Sequence, residues 1–513
     1  MRNKVQLITY VDRLGGHTLK DLNKLITGPL KGVFGGIHIL PFFLPIDGAD
    51  AGFDPIDHTQ VDPRVGDWSD IKKIAGTIDV VADLIVNHMS VNSPQFQDYL
   101  QRGASSPYSK LFLTVDDVFP SGATPSELSS IYRPRPGLPF TKITLRSGEE
   151  RTFWTTFTPQ QIDINVLRPE GLAYLESILR CFQEAGVHMI RLDAVGYAVK
   201  RAGTSCFMLP ETYDFIANMM HRARDFGMNV LVEIHSHYRD QIEIARRVDW
   251  VYDFALPPLI LHAFAFRTAE NLNEWLQIRP ENALTVLDTH DGIGIIDIGA
   301  DVTDGVGRPG LVPPEELDEL VNIIHRNTNG DSIGATGAAA SNLDLYQINT
   351  TFFDAMGRDE ARYLLARAVQ FFLPGIPQLY YVGLFAGRND TALLARTGVG
   401  RDINRHYYSY EEIEQELERP LVKRLLELIH IRNNHGAFTG QFEARLESAE
   451  SLTLKWSKAE AWAQLTVNFA SGQGELQYTD GSQIQKLGIA RHDAGLEPDL
   501  TASSRGASTR VAT

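Results

Sequence analysis

Residues 190–197 read Ile190-Arg191-Leu192-Asp193-Ala194-Val195-Gly196-Tyr197. Apolar and charged residues alternate through the first half, and a period of two marks a strand. Side chains two apart on a strand face the same way, so Arg191 and Asp193 enter one space. The guanidinium beside it favours the ionised form of Asp193. A buried structural Arg–Asp pair has the same signature, so this stretch alone leaves both readings open.

Working outward, β-branched runs of the same kind recur at residues 5–10, 33–40, 80–86, 230–234, 250–254, 284–287 and 378–382, making eight with 189–194. Amphipathic stretches such as 171–184, 213–226 and 359–371 read as helices between them. Strands alternating with helices predict parallel βαβ units, and eight units are the complement of a (β/α)8 barrel. The fold class expected is therefore α/β: a (β/α)8 barrel with two inserted loop-rich subdomains and a small C-terminal antiparallel β domain.

The insertions fall where the spacing between strands is too long for a simple crossover. The expected barrel pieces are residues 1–87, 168–291 and 347–435, with an inserted domain B at 88–167 and a second insertion, B′, at 292–346. Both insertions follow strand C-terminal ends, where a barrel builds its active site, so they are expected to shape a substrate pocket. Residues 436–513 change pattern, with alternation at 452–456 and 462–468 ahead of a Ser-, Ala- and Arg-rich end expected to be a disordered tail.

Composition narrows the function classes. The 513 residues are 43% hydrophobic and 22% charged, ordinary for a globular protein. Two cysteines, Cys181 and Cys206, have no metal-ligand spacing and suit a reducing compartment. The first residues lack an apolar h-region and no later run is long enough to span a bilayer, so a cytoplasmic location is expected. A formal net charge of −16 argues against nucleic acid or an anionic membrane as partner.

Two further strands end in acids. Val232-Glu233-Ile234-His235 sets a carboxyl in an apolar run, where burial helps a general acid keep its proton near neutral pH. Leu287-Asp288-Thr289-His290-Asp291 supplies a third. Each alone is equally a structural acid. Together they close strands four, five and seven of one barrel and converge on one mouth, and paired carboxyls flanking a sugar are what glycosidic cleavage needs.

The segments Asp83 to His88, Ile190 to Asp193, Val232 to His235 and Thr289 to Asp291 resemble the four ordered signature regions of the α-amylase family. Residues 43–60, 132–140, 334–347 and 400–408 resemble sucrose phosphorylases within it. The resemblance implies Asp193 as nucleophile, Glu233 as acid/base and Asp291 as transition-state stabiliser. It implies Asp50, Phe53, His88, Phe157, Arg191, His290 and Arg401 around glucose, with Asp344, Leu345 and Gln347 on the fructose side. It assigns phosphate to Arg135, Tyr197 and Tyr346, in keeping with the fit of a guanidinium fork to phosphate. Glycines and alanines ahead of Tyr346 suggest a loop that alternates between fructose and phosphate arrangements.

The reaction so implied is reversible transfer of glucosyl from sucrose to inorganic phosphate, giving α-D-glucose 1-phosphate and D-fructose with retention. It needs no cofactor and no metal; Asn87 matches a calcium-binding position of secreted amylases, but no dense ligand set surrounds it in sequence. Partners are small molecules, and resembling enzymes include homodimers. Three alternatives remain at this level. They are a phosphorylase of glucosylglycerol, glucosylglycerate or sucrose 6-phosphate; a hydrolase or transglucosidase; and a non-catalytic sugar-binding barrel, against which stand the three acids in register.

Overall fold

The computed structural model describes residues 1–48, 50–133, 137–301, 307–337 and 347–489. Its centre is a closed parallel barrel of β1 (Gln6–Thr9), β2 (Gly36–Ile39), β3 (Asp79–Ile85), β4 (Met189–Asp193), β5 (Asn229–Val232), β6 (Trp250–Asp253), β7 (Ala283–Thr285) and β8 (Ile376–Tyr380). Each strand overlaps one of the alternating runs, and neighbours in the chain are neighbours in the barrel, with β8 returning to β1.

Register does the work that matters for the site. Arg191 on β4 lies opposite Asp83 on β3, and Leu192 lies opposite Val232 on β5. All seven residues of β3 are buried, as expected of a strand covered on both faces. Asp83 therefore needs a charged partner inside the barrel.

The surrounding helices follow from spacing and caps. The helix Pro169–Ala185 buries Tyr174, Leu175, Ile178, Leu179 and Phe182 on one stripe. It starts with proline at its first turn, where no N–H is needed, and stops at Gly186, whose φ of 75° suits a residue without Cβ.

Between β3 and β4, His88–Ser90 pairs antiparallel with Gln161–Asp163, and Phe140–Thr144 with Glu150–Trp154. This segment has its own small core of Leu113, Val118, Phe119, Ile131 and Trp154, joined by Cys206. Between β7 and β8, Ile293–Gly294 pairs antiparallel with Gln347–Ile348, and the helices Pro314–Asn327 and Asp331–Thr336 lie on the chain between them. Five antiparallel strands, Gln441–Ser448 through Gln483–Gly488, form a meander in chain order. The meander is fastened to the barrel where Trp456 donates its indole N–H to Phe372 O at 2.5 Å and Phe469 meets Phe264 edge-on at 4.9 Å. The expected disordered tail lies outside the described residues. Among those described, no helix is long and apolar enough to cross a membrane.

Candidate active site

Arg191 is the hub of the barrel mouth. Its Nη1 donates to Asp83 Oδ1 at 2.6 Å and to Asp193 Oδ1 at 2.7 Å, and its Nη2 lies 3.7 Å from Glu233 Oε1. Asp193 is the last residue of β4, and Glu233 directly follows β5, so register alone delivers both carboxyls to one guanidinium. The chain then turns sharply: Ala194 takes a left-handed φ of 54°, and its N–H donates to Glu233 Oε2 at 3.3 Å. Such a conformation is costly for a residue with a Cβ and concentrates at working sites.

Asp291 reaches the same place from beyond β7. One oxygen of Glu233, one of Asp291 and one imidazole nitrogen of His235 lie within 4.8 Å of one another. Arg401 Nη1 sits 3.0 Å from Asp291 Oδ1 and 3.2 Å from Asp50 Oδ2, and its Nη2 donates to Gln347 Oε1 at 3.4 Å. Arg401 thus gathers three side chains that sequence reading had placed separately.

The apolar side is built from rings. Phe53 stacks on His290 with centroids 4.8 Å apart and lies 5.7 Å from the Arg191 guanidinium. His88 contacts Phe53 O through Nε2 at 2.8 Å and meets Phe157 edge-on at 5.2 Å, and Phe157 in turn meets Tyr197 at 5.2 Å. A face of ring carbon opposite a rim of charge suits a sugar, which is apolar on its C–H faces and polar around its edge.

Electrostatics separates the acids. Burial raises the Asp193 carboxyl well above the usual range against the pull of Arg191, with Glu233, Asp83 and Asp291 adding to the rise. This corrects the expectation from sequence, which weighed only the guanidinium. Arg191, which donates to Asp193 Oδ1, works against that rise. Asp291 is held well below the usual range: burial works against ionisation, but nearby positive charge, Arg401 foremost, outweighs it. For His290 burial dominates, with Arg191 and Arg405 assisting, and pushes it down to about 3, so it is neutral. Asp83, buried but facing His38 and Arg191, is lowered to about 2.

The family model for the alpha amylase catalytic domain matches residues 31–251. The chain is 58% identical over 476 residues to "Sucrose phosphorylase" of Agrobacterium vitis, covering 93% of this chain and 97% of the relative. The chain belongs to the sucrose phosphorylase family. A second member, "Sucrose phosphorylase" of Bifidobacterium adolescentis, is 53% identical, covering 92% of this chain and 94% of that one. The crystal structure of sucrose 6F-phosphate phosphorylase from Thermoanaerobacter thermosaccharolyticum superposes with a TM-score of 0.88 at 37% identity, covering 95% of this chain and 98% of that one.

Of the residues expected from the family resemblance, Asp50, Phe53, His88, Phe157, Arg191, Asp193, Tyr197, Glu233, His290, Asp291, Gln347 and Arg401 are described and connect through the contacts above. Arg135, Asp344, Leu345 and Tyr346, and with them most of the expected switching loop, lie outside the described residues.

Sequence reading overlooked four side chains. Asp83 is the second anchor of Arg191 and also meets His38 Nε2 at 2.9 Å. Arg405 donates to His290 O at 3.0 Å and lies 3.5 Å from Asp50. His235 stands two positions after Glu233, a strand-like spacing that could have signalled it. The last is Lys200, whose buried ammonium donates to Asn87 Oδ1 at 2.8 Å and also to Asp163. Asn87, the position matched to calcium in secreted amylases, thus meets a lysine charge in this chain.

Proposed function

We propose that this protein transfers the glucosyl unit of sucrose reversibly to inorganic phosphate, giving α-D-glucose 1-phosphate and D-fructose with retention. The observation that carries the reading is one guanidinium, Arg191, in contact with both Asp193 and Glu233, with Asp291 beside them, in a chain of this family.

Asp193 Oδ attacks the anomeric carbon as the bond to the fructosyl oxygen breaks, and Glu233 gives its proton to that oxygen. A β-glucosyl ester on Asp193 results, and fructose leaves. A phosphate oxygen then attacks the anomeric carbon from the opposite face, the ester bond breaks, and Glu233 takes up any proton on the acceptor. Two inversions restore the α configuration. Asp291, kept ionised chiefly by Arg401, stabilises the oxocarbenium-like charge that develops in the transition state of each step. Asp50, His88, His290 and Arg401 hold glucose hydroxyls, while Phe53 and Phe157 cover the ring.

Tyr197, Arg135 and Tyr346 are assigned to phosphate, and Asp344, Leu345 and Gln347 to fructose. No cofactor or metal takes part in this scheme. The free cysteines Cys181 and Cys206 support a cytoplasmic location. The test is incubation with sucrose, with and without phosphate, followed by assay of glucose 1-phosphate and free glucose. Glucose 1-phosphate that depends on phosphate is the expected product. Free glucose at the same rate in both arms contradicts the proposal, and faster turnover of glucosylglycerol would reassign the leaving group.

A further inference from the structure

Beside Glu233 lies a buried pair that the reaction scheme does not use. His235 Nδ1 donates to Asp297 Oδ2 at 3.0 Å, and Gln241 Nε2 donates to Asp297 Oδ1 at 2.9 Å, so both carboxylate oxygens are engaged. Asp297 is fully buried. The imidazole stacks on Phe254 with centroids 3.8 Å apart and turns its Nε2 toward Glu233 Oε1, 3.9 Å away. Backbone has made room for the pair: a Cβ on Gly294 would stand 2.0 Å from Asp297 Oδ2 and 3.0 Å from His235 Nδ1. Gly294 is also the partner of Gln347 in the short sheet that ends the loop assigned to the acceptor.

Inorganic phosphate entering this site brings negative charge to a place already holding the carboxyls of Glu233 and Asp291. Fructose brings none. A cation at the acceptor side therefore favours phosphate far more than it favours the sugar. The hydrogen bond at one imidazole nitrogen sets what the other can do, and an anionic partner on Nδ1 favours a proton on both.

We propose that Asp297 is a positioning residue for phosphate: it fixes His235 so that a cationic Nε2–H faces the acceptor side of Glu233. Among the described residues, the charged groups facing His235 include Asp291 and Asp297 from the segment after β7 and Glu233 from its own strand end. Burial works to lower the imidazole's pKa, but Asp297, Glu233 and Asp291 together raise it. The charge is therefore present at low pH and lost as pH rises through that raised value. The inference rests on the phosphorylase reading, because water or a neutral sugar as acceptor gains little from the charge.

The test compares Asp297→Asn, which keeps an acceptor for Nδ1 but removes the charge, with the unaltered full-length enzyme. kcat/KM for phosphate should fall about tenfold, a ~1.4 kcal/mol effect, and fall further than kcat/KM for sucrose. The alkaline limb of the phosphate profile should move to lower pH. Gly294→Ala, whose added Cβ would displace the pair while both side chains keep their own chemistry, should act in the same direction. Adding His235→Asn to Asp297→Asn should cost little more than either alone. Equal losses on sucrose and phosphate, or an unmoved pH profile, overturn the proposal. If the unaltered enzyme makes no glucose 1-phosphate, the functional reading fails instead. The pair is then tested by imidazole ¹⁵N NMR, where Asp297→Asn must lower the pH at which His235 titrates, and an unchanged titration refutes it.

Discussion

Replacing Lys200 with methionine removes one buried charge and leaves the stem. The Lys200 side chain is 1% exposed and that of Asp163 is 0% exposed, so neither can turn to water for compensation. In Lys200→Met, Asp163 keeps donors from Thr156, N at 3.0 Å and Oγ1 at 2.6 Å, but loses its counter-charge. Asn87 Oδ1 also loses a donor. Removing one partner of a buried ion pair costs about 3–5 kcal/mol, and the surviving hydroxyl and amide donors place this case near 3. Guanidinium unfolding followed by circular dichroism should show that loss. Limited proteolysis should show early cleavage between β3 and β4, because Asp163 closes that segment by pairing with His88. Lys200→Met with Asp163→Asn should recover at least half of the loss, since the larger part is the stranded carboxylate. A loss below about 1 kcal/mol, or no recovery in the double variant, would refute the charge-pair reasoning.

The chain should lose stability in mild acid as buried neutral histidines take up protons on unfolding. His58 and His290 are each pushed down to about 3, chiefly by burial, and unfolding returns them to about 6.5, so the unfolded state binds more protons between those values. Each contributes roughly 1 kcal/mol of loss between pH 6.5 and 5.5, with His88 acting in the same direction and His235 opposing; denaturation midpoints at pH 7 and 5.5 should differ accordingly, and equal midpoints contradict it. Asp193→Asn should lower turnover by roughly 10⁴-fold or more while the fold is unchanged by circular dichroism. Arg135→Ala should raise KM for phosphate and leave slow hydrolysis of sucrose, and a normal phosphate KM would place the anion elsewhere.

The barrel was legible because each strand carries its own signal. Period-two runs such as Met189–Asp193 are local, and their count is enough to name the architecture. Asp193 and Glu233 were legible for the same reason, since each sits at the end of such a run, whereas Asp291 lies six residues beyond β7. What escaped depends on register between distant segments. Asp83 becomes an anchor for Arg191 only when β3 and β4 align, and Asp297 meets His235 only after the chain beyond β7 folds back. Lys200 is a plain lysine until Asn87 and Asp163 enclose it. Asp193 shows the same limit in its electrostatics: its neighbour Arg191 is visible in sequence, whereas the opposing burial and carboxyls appear only in three dimensions.

A covalent trap reaches the centre of the account. Glu233→Gln incubated with a glucosyl fluoride, whose leaving group needs no proton, should accumulate an enzyme one glucosyl unit heavier. Peptide mapping should place that unit on Asp193, and adding phosphate should release it as glucose 1-phosphate. A glucosyl unit on any other residue would contradict the account, as would a trapped ester that phosphate cannot discharge.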